Sequence, residues 1–325
     1  MTKEDLKIVY MGTPDFAVEP LRRLVQGGYN VVGVITMPDK PAGRGHKIQF
    51  SPVKQFALEH NLHLLQPEKL KDEAFVNELR ALNADLQVVV AFRMLPEVVW
   101  NMPKLGTFNL HASLLPQYRG AAPINWAIIN GDTETGVTTF FLTHEIDTGK
   151  IIQQERIPIS DKDNAETIHD ALMMKGSDLL IETVDNIIAG TISPKPQEEL
   201  YRSEDELRPA PKIFKETCEI DFNKTARQVF NFVRGLSPYP AAWTTLQAAS
   251  GEQFTVKVYD TEVSAHNVNG EPGTVDTDGK SFIRVATAEG AIELKSLLLP
   301  GKKRMPVADL LRGFAFPEGA KFVRL

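Results

Sequence analysis

The 325-residue sequence has a single cysteine, Cys218, which excludes an internal disulfide and leaves no thiolate cluster to hold zinc. No histidine lies near it in sequence, so it reads as a small packed side chain rather than a nucleophile. The seven histidines are scattered, none in the paired spacing of metal ligands, and a metal-dependent mechanism has little support. No apolar run approaches the roughly 20 residues that a membrane helix needs. The opening MTKEDLKIVYMGTPDF places charges on both sides of a short strand-like run, so an untagged cytoplasmic protein is expected. YMGTPDF has the look of a nucleotide-binding turn after a first strand, but it lacks the G-x-G-x-x-G spacing that brings pyrophosphate to a helix terminus. A dinucleotide cofactor is therefore disfavoured, and a tight strand-to-helix turn accounts for the segment. Internal repeats and low-complexity tracts are absent.

What is present is enough apolar material for two cores, with 42% hydrophobic residues in a chain longer than one usual domain. The formal charge of −6 conceals a division. Residues 207–325 hold 16 Lys and Arg against 13 Asp and Glu, whereas the first 206 hold 20 against 29. The later part is the one suited to face phosphate, although a bias of this size also fits an ordinary solvated surface.

The first half alternates short β-rich runs with helical patterns. KIVYMG (7–12), NVVGVIT (30–36), LHLLQ (62–66), LQVVVAF (86–92) and GTFNLHA (106–112) are the strand candidates. FAVEPLRRLV carries apolar residues near a 3.6 period, with Gly27 and Gly28 as a stop signal. Continuous apolar strands with helices between them predict an α/β domain built on a Rossmann-like, mostly parallel sheet, which binds ligands outside the carboxyl ends of its strands. TGVTTFFLT (135–143) and KIIQQERIPI (150–159) add two strands around HEIDTG, and a long helix from about 164 closes a first domain over 1–189. Residues 190–212, rich in proline and charge and without periodicity, read as a linker. Residues 213–325 combine a short helix, TARQVFNFVRGL (225–236), with β patterns in FTVKVYD, SFIRVAT and AIELKSLLL, which predicts a small OB-like β-barrel.

The informative stretch is FNLHASLLPQYRGAAPINWAI, 108–128. On an extended strand residues two apart share a face, so Asn109 and His111 point together if the strand runs through both. The pair joins an amide donor to a group that exchanges protons near neutral pH. Its place at a strand end, followed by the irregular SLLPQYRGAAP loop, favours function over packing.

The run His111-Ala112-Ser113-Leu114-Leu115-Pro116, with Arg119-Gly120 and Pro123-Ile124, resembles the signature of folate-dependent formyltransferases. Asp147-Thr148-Gly149 matches the second element of that family's site. The resemblance is to the branch that acts on charged tRNA, and it covers nearly the whole chain from GTPDFA through PDKPAGRG and SPVK to PGTV and GKK. It implies 10-formyltetrahydrofolate as formyl donor, the methionyl amino group of initiator methionyl-tRNA as acceptor, and no metal or nucleotide cofactor. Asn109 is then similar in position to the family's oxyanion-stabilising residue and His111 to its proton-handling residue. Asp147 orients and tunes the imidazole, or passes protons through a water. Ser113, Leu114, Leu115 and Pro116 take the folate, the aliphatic side chains suiting a flat pterin.

PAGRG, within the basic segment 37–54, matches the family's tRNA-contacting loop, with Arg44 at its centre between Lys40 and Lys47. Without the resemblance this segment reads as a solvated surface loop, and Asp-Thr-Gly as an ordinary turn. Phe92-Arg93 stands where the family commonly has an aromatic-glycine pair. Three other readings compete: a shorter formyltransferase of the purine pathway, which would not need the long C-terminal domain; a hydrolase of the formyl donor, the stronger runner-up, which would use water as acceptor; and a noncatalytic tRNA-binding protein, against which Asn109, His111 and Asp147 together argue. A monomer with no membrane partner is expected.

Overall fold

The computed structural model describes residues 1–42 and 47–324, and for Ala42 and Lys47 the backbone alone. The chain forms two compact units. The first comprises Met1–Gly120, Thr135–Ile157 and His169–Pro209; the second comprises Ala121–Glu134, Pro158–Ile168 and Ala210–Leu325.

Along the first part of the chain come β1 (Ile8–Gly12), α1 (Val18–Gln26), β2 (Val31–Ile35), β3 (Lys40–Ala42), β4 (Lys47–Gln49), α2 (Pro52–Glu59), β5 (Leu64–Leu65), α3 (Glu73–Ala81), β6 (Leu86–Val90), α4 (Glu97–Trp100) and β7 (Thr107–His111). They are followed by α5 (Pro123–Ile129), β8 (Glu134–Phe141), β9 (Ile151–Pro158) and α6 (Ala165–Ala189). The sheet order is β5-β2-β1-β6-β7-β8-β9, parallel from β5 to β7, with β8 antiparallel to β7. This is the Rossmann-like sheet that the apolar runs predict. All five residues of β1 and of β6 are buried, as strands covered on both faces must be. One face packs Val9, Met11 and Val89 against Phe75, Val76 and Leu79 of α3 and Val99 of α4.

Helix starts follow local chemistry. Ser51 caps α2 by accepting the Lys54 N–H at 3.0 Å, with Pro52 in the first turn where its missing N–H costs nothing. Gly27 and Gly28 end α1, as their positions predict.

Two segments differ from expectation. LHLLQ contributes only Leu64 and Leu65, paired with Val34 and Ile35, because it lies at the sheet edge with one neighbour. The basic segment 37–54 is not loop throughout. It contains a hairpin in which Lys40, Pro41 and Ala42 face Gln49, Ile48 and Lys47, and Pro41 is tolerated because a two-stranded ribbon leaves outer edges unpaired.

The second unit holds α7 (Ala226–Leu236), β10 (Ala242–Gln247), β11 (Gln253–Val263), β12 (Val275–Thr277), β13 (Ile283–Ala286), β14 (Ala291–Leu298), β15 (Met305–Pro306), α8 (Val307–Gly313) and β16 (Lys321–Val323). A capping box starts α7: Thr225 Oγ1 accepts the Gln228 N–H at 3.2 Å, and Gln228 Oε1 accepts the Thr225 N–H at 3.0 Å. The antiparallel order β12-β13-β14-β11-β10-β16 nearly closes on itself. Thr274 bridges Lys321, and the Phe322 N–H donates to the Gly273 carbonyl at 2.9 Å. The barrel encloses Val256, Val258, Ile292, Leu294 and Phe322, with Val229 and Val233 of α7 in the same core.

Candidate active site

β7 is an inner strand with β6 on one side and β8 on the other, so its backbone is held by two ladders. Asn109 lies opposite Val89 and Phe140, and His111 opposite Thr138. The period of two puts both side chains on one face, as the sequence predicts. Asn109 Oδ1 is one of six buried side-chain nitrogen and oxygen atoms without a hydrogen-bond partner among the described residues. A buried amide oxygen with no protein partner can take a donor from a bound ligand.

His111 is 7% exposed. Its Nε2 lies 2.8 Å from the Tyr118 carbonyl oxygen, which only accepts, so Nε2 carries the proton of the neutral ring. Nδ1 is then the nitrogen with the lone pair. It faces Asp147 Oδ2 at 3.8 Å, beyond hydrogen-bond length but within strong electrostatic range. The same Oδ2 accepts the Gly120 N–H at 2.9 Å. Asp147 sits in the loop between β8 and β9 with φ 56°, a left-handed conformation that Asp tolerates better than most residues. Gly149 closes that turn, where an added Cβ would lie 1.6 Å from the Phe141 carbonyl oxygen. The Asp-Thr-Gly order thus has a steric cause at its third position.

The four residues expected to take folate are mostly occupied within the protein. Ser113 is fully buried, and its hydroxyl donates to the Gln117 carbonyl at 2.7 Å. Its own carbonyl accepts from Thr138 Oγ1 at 2.7 Å. The Leu115 N–H donates to Thr138 Oγ1 at 3.2 Å, and its carbonyl accepts from Gln154 Nε2 at 2.7 Å. Leu115 and Pro116 are buried, and Leu114 is half-buried. The loop is thus a braced wall of which Leu114 is the most accessible member.

Arg93 is tied to the segment after β5, donating Nη1 to the Glu68 carbonyl at 2.8 Å and Nη2 to the Pro67 carbonyl. Its burial pulls the guanidinium below its ordinary pKa. Phe92 packs against the core that contains Leu65 and Phe75.

Lys40 is exposed at the start of the β3–β4 hairpin; Lys47 begins its second strand, and Arg44 lies outside the described residues. At the hairpin base Lys54 Nζ binds Asp39 Oδ2 at 2.5 Å and covers the Phe50 ring at 3.9 Å. Gln66 Nε2 donates to Asp39 Oδ1 at 3.0 Å. Lys54 and Gln66 together hold the Asp39 carboxyl below its ordinary pKa.

Sequence reasoning missed the groups that hold the trio in place. Tyr118 acts through its backbone, and Gln197 comes from the proline-rich segment 190–212, where nothing in the pattern singles it out. Among the described residues no group of three His, Cys, Asp or Glu side chains is arranged to hold a metal ion.

The family profile described as Formyl transferase matches residues 6–184, and that described as Formyl transferase, C-terminal domain matches 212–315. Over 323 residues the chain is 67% identical to the methionyl-tRNA formyltransferase of Bacteroides thetaiotaomicron, across 99% of each chain. The chain belongs to the methionyl-tRNA formyltransferases. Solved structures extend the fold to more distant proteins. An N-formyltransferase from Helicobacter canadensis, in complex with folinic acid and dTDP-3-aminofucose, superposes with a TM-score of 0.62 at 20% identity, over 89% of this chain and 98% of that one. HypX from Aquifex aeolicus superposes with a TM-score of 0.61 at 18% identity, over 94% of this chain and 47% of that one, so the chain spans about half of HypX.

Proposed function

We propose that Asn109, His111 and Asp147 carry the transfer of a formyl group from 10-formyltetrahydrofolate to the methionyl amino group of initiator tRNA, giving formylmethionyl-tRNA for translation initiation. The observation that carries this reading is the coincidence of three groups: a half-buried amide whose Oδ1 has no protein partner, an imidazole with its tautomer fixed, and a carboxylate anchored by a backbone N–H. Attack by the neutral amine forms the new C–N bond and gathers negative charge on the formyl oxygen. The Asn109 amide, turned with Nδ2 toward that oxygen, stabilises the charge. His111 Nδ1 takes the proton that the amine releases and returns it to the folate nitrogen as the old C–N bond breaks. Asp147 compensates the positive charge that the ring holds meanwhile.

Ser113, Leu114, Leu115 and Pro116 form the wall against which the folate lies, with Leu114 as its most accessible apolar surface. Lys40 and Lys47, in β3 and β4, and Arg44 from the sequence between them grip the tRNA through phosphate or base edges. The barrel within 213–325 adds a second tRNA-binding surface, and residues 190–212 join it to the catalytic region within 1–189. The trio and the groups that brace it come from one compact unit of one chain, which supports action as a monomer. No described helix is long and apolar enough to cross a membrane; an acceptor used in translation initiation supports a cytoplasmic location.

The test is transfer of labelled formyl from 10-formyltetrahydrofolate to charged initiator tRNA, charged elongator tRNA or water. Transfer to the initiator well above the other two is expected. Formate release at the same rate with and without tRNA would make the chain a hydrolase of the donor.

A further inference from the structure

Gln197 is the one fully buried polar side chain contributed by the segment 190–212. It makes four hydrogen bonds. Nε2 donates to the Asp147 carbonyl at 2.8 Å and to the Gly149 carbonyl at 2.8 Å. Oε1 accepts from Arg119 Nε at 3.1 Å and Arg119 Nη2 at 2.8 Å. The orientation of the amide follows from its partners. A guanidinium has no acceptor and a carbonyl has no donor, so turning the amide over would set like against like on both sides. Both donors and both acceptor sites of the amide are therefore spent on protein. A side chain chosen only to fill space has no reason to meet that condition.

The two carbonyls bracket the turn that presents the Asp147 carboxylate, and Asp147 holds its left-handed φ of 56° there. A non-glycine residue keeps such a conformation only where its surroundings over-determine it. The same segment also braces the other side of His111. The Arg208 carbonyl accepts the Tyr118 N–H at 2.7 Å, and Tyr118 is the residue whose carbonyl accepts from His111 Nε2. Gln117 joins this brace, with Nε2 donating to the Glu206 carbonyl at 3.0 Å and Oε1 accepting the Arg208 N–H at 2.9 Å.

We infer that Gln197 is a positioning residue for formyl transfer: locked in orientation by Arg119, it holds the Asp147 turn so that the carboxylate stays against His111. This rests on the catalytic reading of Asp147 given above. Gln197 touches no reacting atom and acts only through the turn it fixes.

Gln197→Glu tests it in the full-length enzyme, because it keeps the shape and the partnership with Arg119 while replacing the donor by an acceptor facing two carbonyls. The expected result is a kcat lower by about 10- to 100-fold, the scale of a displaced catalytic group, with KM for the folate and for charged tRNA each within about threefold of wild type. The decisive arm repeats the change in an Asp147→Ala background. With no carboxylate left to position, Gln197→Glu should there cost less than about twofold. The same fold-loss in both backgrounds would assign Gln197 to general structure and overturn the inference, as would an unchanged kcat in the single variant. If Asp147→Ala alone keeps the wild-type rate, the catalytic reading of Asp147 fails instead. Arg119→Met provides a second route should the glutamate variant not fold. By freeing the amide to turn, it should lower kcat without raising either KM, and a normal kcat there would equally refute the assignment.

Discussion

Replacing Gly149 by alanine would place a Cβ 1.6 Å from the Phe141 carbonyl oxygen and 2.8 Å from its carbonyl carbon. Both are backbone atoms of β8, so no rotamer change relieves the clash. Reaching even a tight contact requires backbone movement of roughly 1.5 Å or more. The turn cannot move that far without stretching the 2.8 Å bonds from Gln197 to the carbonyls of Asp147 and Gly149. Overpacking costs about 1–3 kcal/mol and a stranded buried donor about 1–3 kcal/mol, so a loss of about 2–6 kcal/mol is expected. For a chain of this size that corresponds to a Tm lower by roughly 3–9 °C. Because the displaced segment carries Asp147, kcat should also fall by about 100-fold. Thermal unfolding and steady-state kinetics on the same preparation measure both. Gly251→Ala is the control: nothing lies within 4 Å of its added Cβ, and its φ of +89° carries only the local backbone cost. That control should lose about 1–2 kcal/mol and no activity. A Gly149→Ala enzyme with wild-type Tm and kcat would refute the steric argument.

Arg44→Ala should raise KM for charged tRNA and leave folate affinity unchanged. Arg44→Lys should restore only part of the loss, because an ammonium lacks the guanidinium fork; equal effects on both substrates would remove Arg44 from tRNA recognition. Neutralising Lys40, Arg44 and Lys47 together should flatten the dependence of tRNA binding on log salt by up to about three units, and an unchanged slope would show that these cations meet no phosphate. Burial, reinforced by Glu216, pushes the Cys218 thiol above its ordinary pKa, so the native thiol stays protonated at pH 8. Alkylation at that pH should proceed only on unfolding, and rapid native labelling would contradict the packing of Cys218 against the barrel core.

The inner strands of the first sheet were legible because burial on both faces leaves an unbroken apolar run, as in β1 and β6. β10 was not, since Trp243, Thr244 and Thr245 present a polar pattern although both threonines are buried in the barrel wall. α5 escaped notice for a related reason: seven residues starting at a proline give too few turns to establish a period. At the site, Asn109 and His111 could be paired from strand alternation alone. Asp147 could not, because its place beside His111 depends on how the β8–β9 loop folds, and only the family resemblance pointed to it. Gln197 was hidden altogether. A side chain that bonds backbone carbonyls of a distant turn leaves no spacing rule in the sequence, and the proline and charge around it read as linker.

If the end of β7 performs the chemistry, single-turnover transfer to charged initiator tRNA by His111→Ala and Asn109→Ala reads it out. With donor and tRNA both saturating, each variant should transfer formyl at least about 100-fold more slowly, the scale of losing an acid/base or an oxyanion donor. Folate dissociation constants, measured on the same samples, should stay within about threefold of wild type. Near-normal single-turnover transfer by either folded variant would contradict the role assigned to that residue, and by both would move the chemistry away from this strand.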